Sequence, residues 1–123
     1  MLQGVGKLPI LGYDTYNAFN DKINASNTYA QARLLKDLGL VDAGYNTYIL
    51  DDFYLNRERN AKGQLAVNTT LFPGGMKAWT NRVNKLGIEV GPYSSNGYRT
   101  CAGFPAAYGN EVKEYVMFQF CSC

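Results

Sequence analysis

The sequence predicts an α/β fold in which the strands of a parallel sheet alternate with helices. Three short runs of apolar, β-branched and aromatic residues are separated by segments with apolar residues at helical spacing. The dipeptide Leu-Gly precedes both the second and the third run, at Leu38-Gly39 and Leu86-Gly87. Because strands that alternate with helices are joined by right-handed crossovers, we expect the strands to be parallel.

The first strand is predicted at Leu8 to Tyr13, and a polar and aromatic loop is predicted at 14–20. A helix is predicted to begin near Ser26 or Asn27, which are good N-cap residues, and to continue to Leu40. Its apolar face is predicted to consist of residues at helical spacing, namely Ala32, Leu34, Leu35 and Leu38.

The second strand, Tyr45 to Leu50, is followed by two adjacent carboxylates, Asp51 and Asp52. A buried strand does not tolerate unpaired charge, so this pair is predicted at the C-terminal mouth of the strand, where a ligand or water can reach it. Parallel α/β folds place their chemistry at that end. The alternative interpretation is that both are ordinary loop or helix-cap carboxylates.

A long loop is predicted at 53–68, exposed and mobile, with Arg57, Glu58 and Arg59 as a solvated segment. A second helix follows from Met76 to Leu86, and Trp79 is predicted to lie in the core rather than to form a ligand platform.

The third strand is predicted at Ile88 to Ser94 and is followed by a loop at 95–109. The segment 110–120 stays open between a helix and a strand, because its charged residues favour the first and its alternating apolar residues the second. Three strands leave open sheet edges, so we expect part of a larger sheet or barrel, or a domain completed by another chain.

The composition and net charge of the chain argue against several classes of function. A chain of 123 residues with 46% hydrophobic and 18% charged content is predicted to be globular and at most one domain. The net charge of +2, without a run of Lys or Arg, argues against nucleic-acid partners and acidic membranes. No apolar run approaches the ~20 residues that span a bilayer. Residues 1–7 lack the apolar core of a signal peptide.

The chain contains no His, which excludes Ser-His-Asp and Cys-His nucleophiles and most zinc sites. Acid–base chemistry would fall to carboxylates, Tyr, Lys or Cys, and we expect no metal or cofactor. The stretch Tyr13-Asp14-Thr15-Tyr16 stands where a doubly wound nucleotide-binding domain has a glycine-rich phosphate loop, which argues against that alternative.

Five segments, in this order, resemble the α-galactosidase and α-N-acetylgalactosaminidase glycoside hydrolases of family 27, clan D. They are Leu8–Phe19, Gly44–Asp52, Phe72–Lys77, Gly87–Ser94 and Gly97–Pro105. That family has a (β/α)8 TIM-type barrel and removes terminal α-galactosyl units with retention of configuration. The resemblance implies that residues 1–111 form the N-terminal part of such a barrel, about its first three strand–helix units, and that 112–123 is a divergent tail.

The resemblance also implies roles for single residues. Asp51 and Asp52 would accept hydrogen bonds from galactose hydroxyls. Tyr16 stands where the family has a sugar-stacking Trp, and Tyr93 matches a pocket Tyr. Cys101 matches a cysteine that bonds to one just after the family's nucleophile; alternatively it stays free or bonds to Cys121 or Cys123.

No segment resembles the strand with the family's nucleophile, and the acid/base residue has no counterpart either. The resemblance therefore implies an α-galactosidase-like chain that binds galactose-terminated saccharides and is inactive or nearly so by itself. The alternative is a non-catalytic fragment that binds galactose or pairs with another chain through its sheet edges. The family is secreted, and only in a secreted protein would the sequons Asn24-Ala25-Ser26 and Asn68-Thr69-Thr70 have meaning.

Overall fold

The computed structural model describes residues 8–114, which form a three-stranded parallel sheet with helices between the strands. The elements are, in chain order, β1 (Gly12–Asp14), α1 (Tyr16–Phe19), a 3₁₀ turn (Asn20–Lys22), α2 (Ala25–Asp37), β2 (Thr47–Leu50), α3 (Gly75–Asn84) and β3 (Glu89–Pro92). The sheet order is β1-β2-β3, and both strand pairs are parallel. The predicted α/β class with a parallel sheet is confirmed.

The first strand is shorter than predicted. β1 begins at Gly12, which pairs with Thr47, the first residue of β2. Residues 8–10 pair with no strand in the described part of the chain, and Leu8 and Ile10 are 82% and 71% exposed. The predicted loop at 14–20 was also wrong, because α1 and the 3₁₀ turn occupy most of it.

Helix α2 begins earlier than predicted, and its N-cap is Asn24 rather than Ser26 or Asn27. The Oδ1 atom of Asn24 accepts hydrogen bonds from the backbone N–H groups of both of those residues, each at 2.9 Å. The cap is reciprocal, because Oδ1 of Asn27 accepts a hydrogen bond from the backbone N–H of Asn24. Within the predicted apolar face, Ala32 and Leu35 are buried, whereas Leu34 and Leu38 are exposed.

The core lies between β2 and the helices. Tyr48 and Leu50 of β2 are fully buried, while Thr47 and Ile49 on the opposite face are half-buried. The ring of Trp79 packs edge-on against Tyr48, with centroids 5.9 Å apart. The prediction that Trp79 belongs to the core is confirmed.

The loop between β2 and α3 is exposed around 56–58 and 60–62, as predicted, but its two ends pack on the core. Leu55 and Leu65 are buried, and an antiparallel bridge joins Leu55 to Val67. The prediction of a solvated segment was wrong for Arg59, which is half-buried, whereas Arg57 is exposed as predicted. The guanidinium of Arg57 lies 4.2 Å from the centre of the Phe104 ring, and Arg59 forms an ion pair with Glu114. Glu58 is exposed as predicted.

Strand β3 lies within the predicted range, and a helical turn occupies Glu111 to Glu114. Residues 115–120 of the segment predicted at 110–120 lie outside the described residues, as does most of the predicted tail, so the boundary between 111 and 112 stays a prediction. Nowhere in residues 8–114 does a helix have the length and apolar character needed to cross a membrane.

Candidate functional site

A cavity lies where the carboxyl ends of all three strands meet. It encloses about 390 Å³ and is lined by Asp14, Tyr16, Asn17, Asp51, Tyr93 and Cys101. Because parallel strands end at one edge of the sheet, residues far apart in sequence converge there. Four of the residues predicted for the site, Tyr16, Asp51, Tyr93 and Cys101, are brought together. Asp14 and Asn17 were missed, although both flank Tyr16 directly after the first strand.

The ends of β1 and β2 are joined by Thr15, which is fully buried. Its backbone N–H donates to the carbonyl of Ile49 at 3.2 Å, and its hydroxyl accepts from the N–H of Asp51 at 3.0 Å. Asp14 turns the chain into α1, because its Oδ1 accepts from the N–H of Tyr16 at 2.8 Å. These bonds set Asp14 and Asp51 side by side at the cavity.

The carboxyl group of Asp51 has a raised pKa. Burial is the largest cause, and the neighbouring carboxylate of Asp14 raises the pKa further, through its charge and a hydrogen bond that requires a proton on one of the two groups. The N–H of Asp52, which donates to Asp51 Oδ1 at 2.6 Å, acts in the opposite direction. Asp14 and Asp51 therefore form a pair of carboxyl groups that face one space.

Asp52 lies in a different environment from its neighbour. It is 3% exposed and does not line the cavity. One oxygen accepts from the hydroxyl of Thr100 at 2.7 Å, and the other accepts from the N–H of Ala102 at 3.0 Å. Asp52 thus anchors the loop that follows β3, and its predicted contact with a sugar stays a prediction.

Two tyrosines give the cavity an aromatic surface and a hydroxyl donor. The side chain of Tyr16 is exposed, and its ring lies nearly parallel to that of Phe53. The hydroxyl of Tyr93 lies 3.6 Å from Cys101 Sγ. That hydrogen bond, followed by burial, raises the pKa of Tyr93 to about 12. Tyr93 therefore keeps its proton at neutral pH.

Cys101 is exposed and forms no disulfide within residues 8–114. Both of its possible partners in this chain, Cys121 and Cys123, lie outside the described residues, so their pairing stays a prediction. In the same range, no three His, Cys, Asp or Glu side chains are grouped in a way that could hold a metal ion.

The chemistry of the cavity suits a ligand with several hydroxyl groups. Asp14 and Asp51 can accept hydrogen bonds, Tyr93 can donate one, and the ring of Tyr16 offers an apolar face. A larger cavity of about 590 Å³ lies at the other end of β3, beside Asn84 and Gly87 to Val90. Glu89 is the one ionisable residue among the described residues that line it, so the smaller cavity is the better candidate site.

Comparison with known proteins points to one family. The family model described as Alpha galactosidase A (Melibiase_2) matches residues 13–119. A probable alpha-galactosidase B of Talaromyces emersonii is 41% identical over 111 residues, covering 89% of this chain and 25% of the relative. Alpha-galactosidase mel1 of Schizosaccharomyces pombe is 36% identical over 109 residues, covering 88% of this chain and 25% of the relative. The chain thus spans about a quarter of the length of these relatives.

Solved structures agree with the sequence relatives. Alpha-galactosidase I from Mortierella vinacea matches with a TM-score of 0.91 at 28% identity, covering 99% of this chain and 31% of that one. The alpha-galactosidase MEL1 from Saccharomyces cerevisiae gives the same TM-score at 33% identity, and the match covers 97% of this chain and 26% of that one. These matches confirm the predicted fold class, the first strand–helix units of a (β/α)8 TIM-type barrel.

Proposed function

Because the chain belongs to the family of Alpha galactosidase A, among the family 27 glycoside hydrolases, we propose that the cavity at the ends of β1, β2 and β3 binds the terminal α-galactosyl unit of a saccharide. The observation that carries the proposal is the convergence of Tyr16, Asp51 and Tyr93 on one cavity. A structural neighbour, alfa-galactosidase from Saccharomyces cerevisiae, was solved with raffinose.

Each residue has a task that its chemistry supports. Asp51 accepts hydrogen bonds from sugar hydroxyls, and such bonds to an ionised group are stronger than those between neutral groups. Tyr16 stacks on an apolar face of the sugar ring, and Tyr93 donates from its hydroxyl. We extend the proposal to Asp52, whose oxygens keep free lone pairs beside the bonds from Thr100 and Ala102.

The proposed activity of the whole protein is retaining hydrolysis of α-galactosides. That reaction needs a nucleophile and an acid/base carboxyl group ~5–5.5 Å apart on either side of the scissile bond. The family resemblance matches Asp51 to a sugar-binding position and supplies neither catalytic group. We therefore propose that these 123 residues alone hold the sugar without cleaving it. Robust turnover of an aryl α-galactoside by the purified chain would contradict this.

Binding is tested by calorimetric or NMR titration of the chain with methyl α-galactoside and methyl α-glucoside, which differ in the configuration at C4. We expect the galactoside to bind more tightly. The variant Asp51→Asn should weaken its binding about tenfold or more, since a hydrogen bond to a charged group is worth about 1.5–3 kcal/mol. Asp21→Asn, on the 3₁₀ turn and exposed, is the matched control. Equal affinities for the two sugars, or wild-type binding by Asp51→Asn, would sink the proposal.

The open sheet edges favour a second role, pairing with another copy of the chain. Within residues 8–114, β1 and β3 each pair with β2 alone. Unpaired edges of this kind template association. We expect light scattering after size-exclusion chromatography to show a mass that rises with protein concentration. A monomer at every concentration would argue against pairing and would leave the sugar-binding proposal untouched.

A further inference from the structure

Two Asn-X-Ser/Thr motifs lie outside the cavity, at Asn24-Ala25-Ser26 and Asn68-Thr69-Thr70. We propose that both asparagines are N-glycosylation sites, each accepting an oligosaccharide from a lipid-linked diphosphate donor. The motif alone is a short pattern. The argument for these two sites is the way in which the fold uses one half of each side-chain amide and leaves the other half free.

The side-chain oxygen of Asn68 is hydrogen-bonded, whereas the side-chain nitrogen is free within residues 8–114. Oδ1 accepts hydrogen bonds from the backbone N–H groups of Thr70 and Leu71, at 3.0 and 3.3 Å. Nδ2 makes no hydrogen bond to any residue between 8 and 114. The backbone N–H of Asn68 donates to the carbonyl of Tyr54 at 2.9 Å. The fold therefore uses every polar group of Asn68 except the atom that would carry a glycan.

Asn24 shows the same division at a different place in the chain. Its Oδ1 caps α2, as described above, while its Nδ2 has no hydrogen-bond partner in the described range. Because the cap needs only the oxygen, a substituent on the nitrogen leaves the start of α2 intact. The residues that complete the two motifs, Ser26 and Thr70, are exposed, and neither hydroxyl is engaged within residues 8–114.

The two motifs lie side by side. The N–H of Ala25 donates to the carbonyl of Leu71 at 2.9 Å, which joins the segment before α2 to the segment before α3. An open cleft of about 540 Å³ is lined by Asn24, Ser26 and Thr70, among others. No described residue lines both this cleft and the carboxylate cavity. Glycans on the two asparagines would therefore cover this side of the helices.

The chemistry requires no redox partner. A bond forms between Nδ2 and the anomeric carbon of the first sugar, and the bond from that carbon to the diphosphate oxygen breaks. The lipid diphosphate leaves with the bonding electrons, and Nδ2 gives up one proton to the transferring enzyme. The hydroxyl of the third residue is part of what that enzyme recognises.

The test is translation of the full chain, preceded by a cleavable secretion leader, in the presence of endoplasmic-reticulum microsomes. This readout does not depend on sugar binding or on export. We expect two glycans, both removed by an amidase specific for the Asn–glycan bond. Asn24→Asp and Asn68→Asp should each lose one glycan, since a carboxylate oxygen keeps the two backbone hydrogen bonds while the nitrogen is gone. Ser26→Ala and Thr70→Ala should give the same loss with the asparagine retained.

The proposal would be overturned by a chain that has entered the microsomes, where it is protected from added protease, and whose mass the amidase leaves unchanged. An Asp variant that carries as many glycans as the parent chain would also overturn it. If only one asparagine is ever occupied, the proposal fails for the other. Circular dichroism of the Asp variants, purified without glycans, should match the parent chain, because the helix cap and the loop bonds depend on oxygen alone.

Discussion

The carboxylate of Asp52 and the hydroxyl of Thr100 form a buried hydrogen bond of 2.7 Å that ties the end of β2 to the loop after β3. The same hydroxyl accepts from the N–H of Phe104 at 3.1 Å, so one side chain organises the turn of that loop. The acidic doublet is thereby divided: Asp52 anchors the loop, and Asp51 faces the cavity. Cys101, which lines that cavity, lies on the anchored loop next to Thr100.

We expect Thr100→Val to destabilise the chain by about 1.5–3 kcal/mol, the value of a hydrogen bond to a charged group. Valine keeps the shape but leaves the carboxylate oxygen and the N–H of Phe104 without their partner. The measurement is urea unfolding followed by fluorescence. Thr69→Val is the control, because Thr69 is exposed. Equal unfolding free energies for the two variants would contradict the anchoring role of Asp52.

The position of Asp51 and Asp52 could be predicted because the signal is local: an apolar run that ends in charge. Their separate roles could not, since the partners of Asp52 are 48 and 50 residues further along the chain. The order of strands and helices could also be predicted, because the spacing of apolar residues is a local signal too. The start of β1 was missed because its apolar lead-in, Leu8 to Leu11, precedes the point where β2 offers a pairing partner.

The long-range contacts of the loop after β2 were missed for a related reason. Arg57 and Arg59 have the composition of a solvated segment, and only the folded chain brings Phe104 and Glu114 to them. The Asn24 cap was within reach of the sequence, since an Asn three residues before another Asn can form a reciprocal cap.

Asp14→Asn should lower the pKa of Asp51. Removing the neighbouring negative charge takes away one cause of its elevation, while burial keeps part of it. Because the native chain holds this proton more tightly than the unfolded chain, the stability that Asp51 contributes is full below its ordinary pKa of 3.8 and is lost as pH rises through the raised value. The variant should make that loss smaller.

The measurement is a carbon NMR titration of the Asp51 carboxyl group. Asparagine keeps the oxygen that accepts from the N–H of Tyr16, so α1 should be unchanged. Asp21→Asn serves as the control for a general change in net charge. An Asp51 midpoint that is the same in Asp14→Asn and in the parent chain would show that Asp14 does not raise the pKa of Asp51.

Arg59→Met should cost about 3–5 kcal/mol, the range for removing one partner of a buried ion pair. The guanidinium of Arg59 pairs with Glu114, whose side chain is 3% exposed, and also donates to the carbonyls of Ala106 and Gly63 at 2.7 and 3.0 Å. Without it, the buried carboxylate keeps, among the described residues, only the hydroxyl of Ser94 at 3.4 Å.

Arg33→Met is the matched control, measured by the same urea unfolding. Arg33 forms an exposed pair with Asp37 on α2, at 3.5 Å. Exposed pairs of this spacing contribute about 0.3–0.5 kcal/mol. If the two variants lose similar amounts of stability, the packing of the loop on Glu114 contributes little and the buried pair is not a structural anchor.

Gly12→Ala should disrupt the pairing of β1 with β2. A Cβ atom at this position would lie 2.3 Å from the backbone carbonyl oxygen of Thr47, which is far inside van der Waals contact and cannot rotate away. We expect a loss of about 1–3 kcal/mol, as for overpacked cores. Since β1 leads directly into Asp14 and Tyr16, its displacement should weaken galactoside binding in parallel with stability.

Gly97→Ala is the control. The nearest atoms to a Cβ at Gly97 would be 3.5 Å away, and the stability of this variant should change by less than about 1 kcal/mol. Wild-type stability of Gly12→Ala would mean that β1 does not pair with β2 in this register.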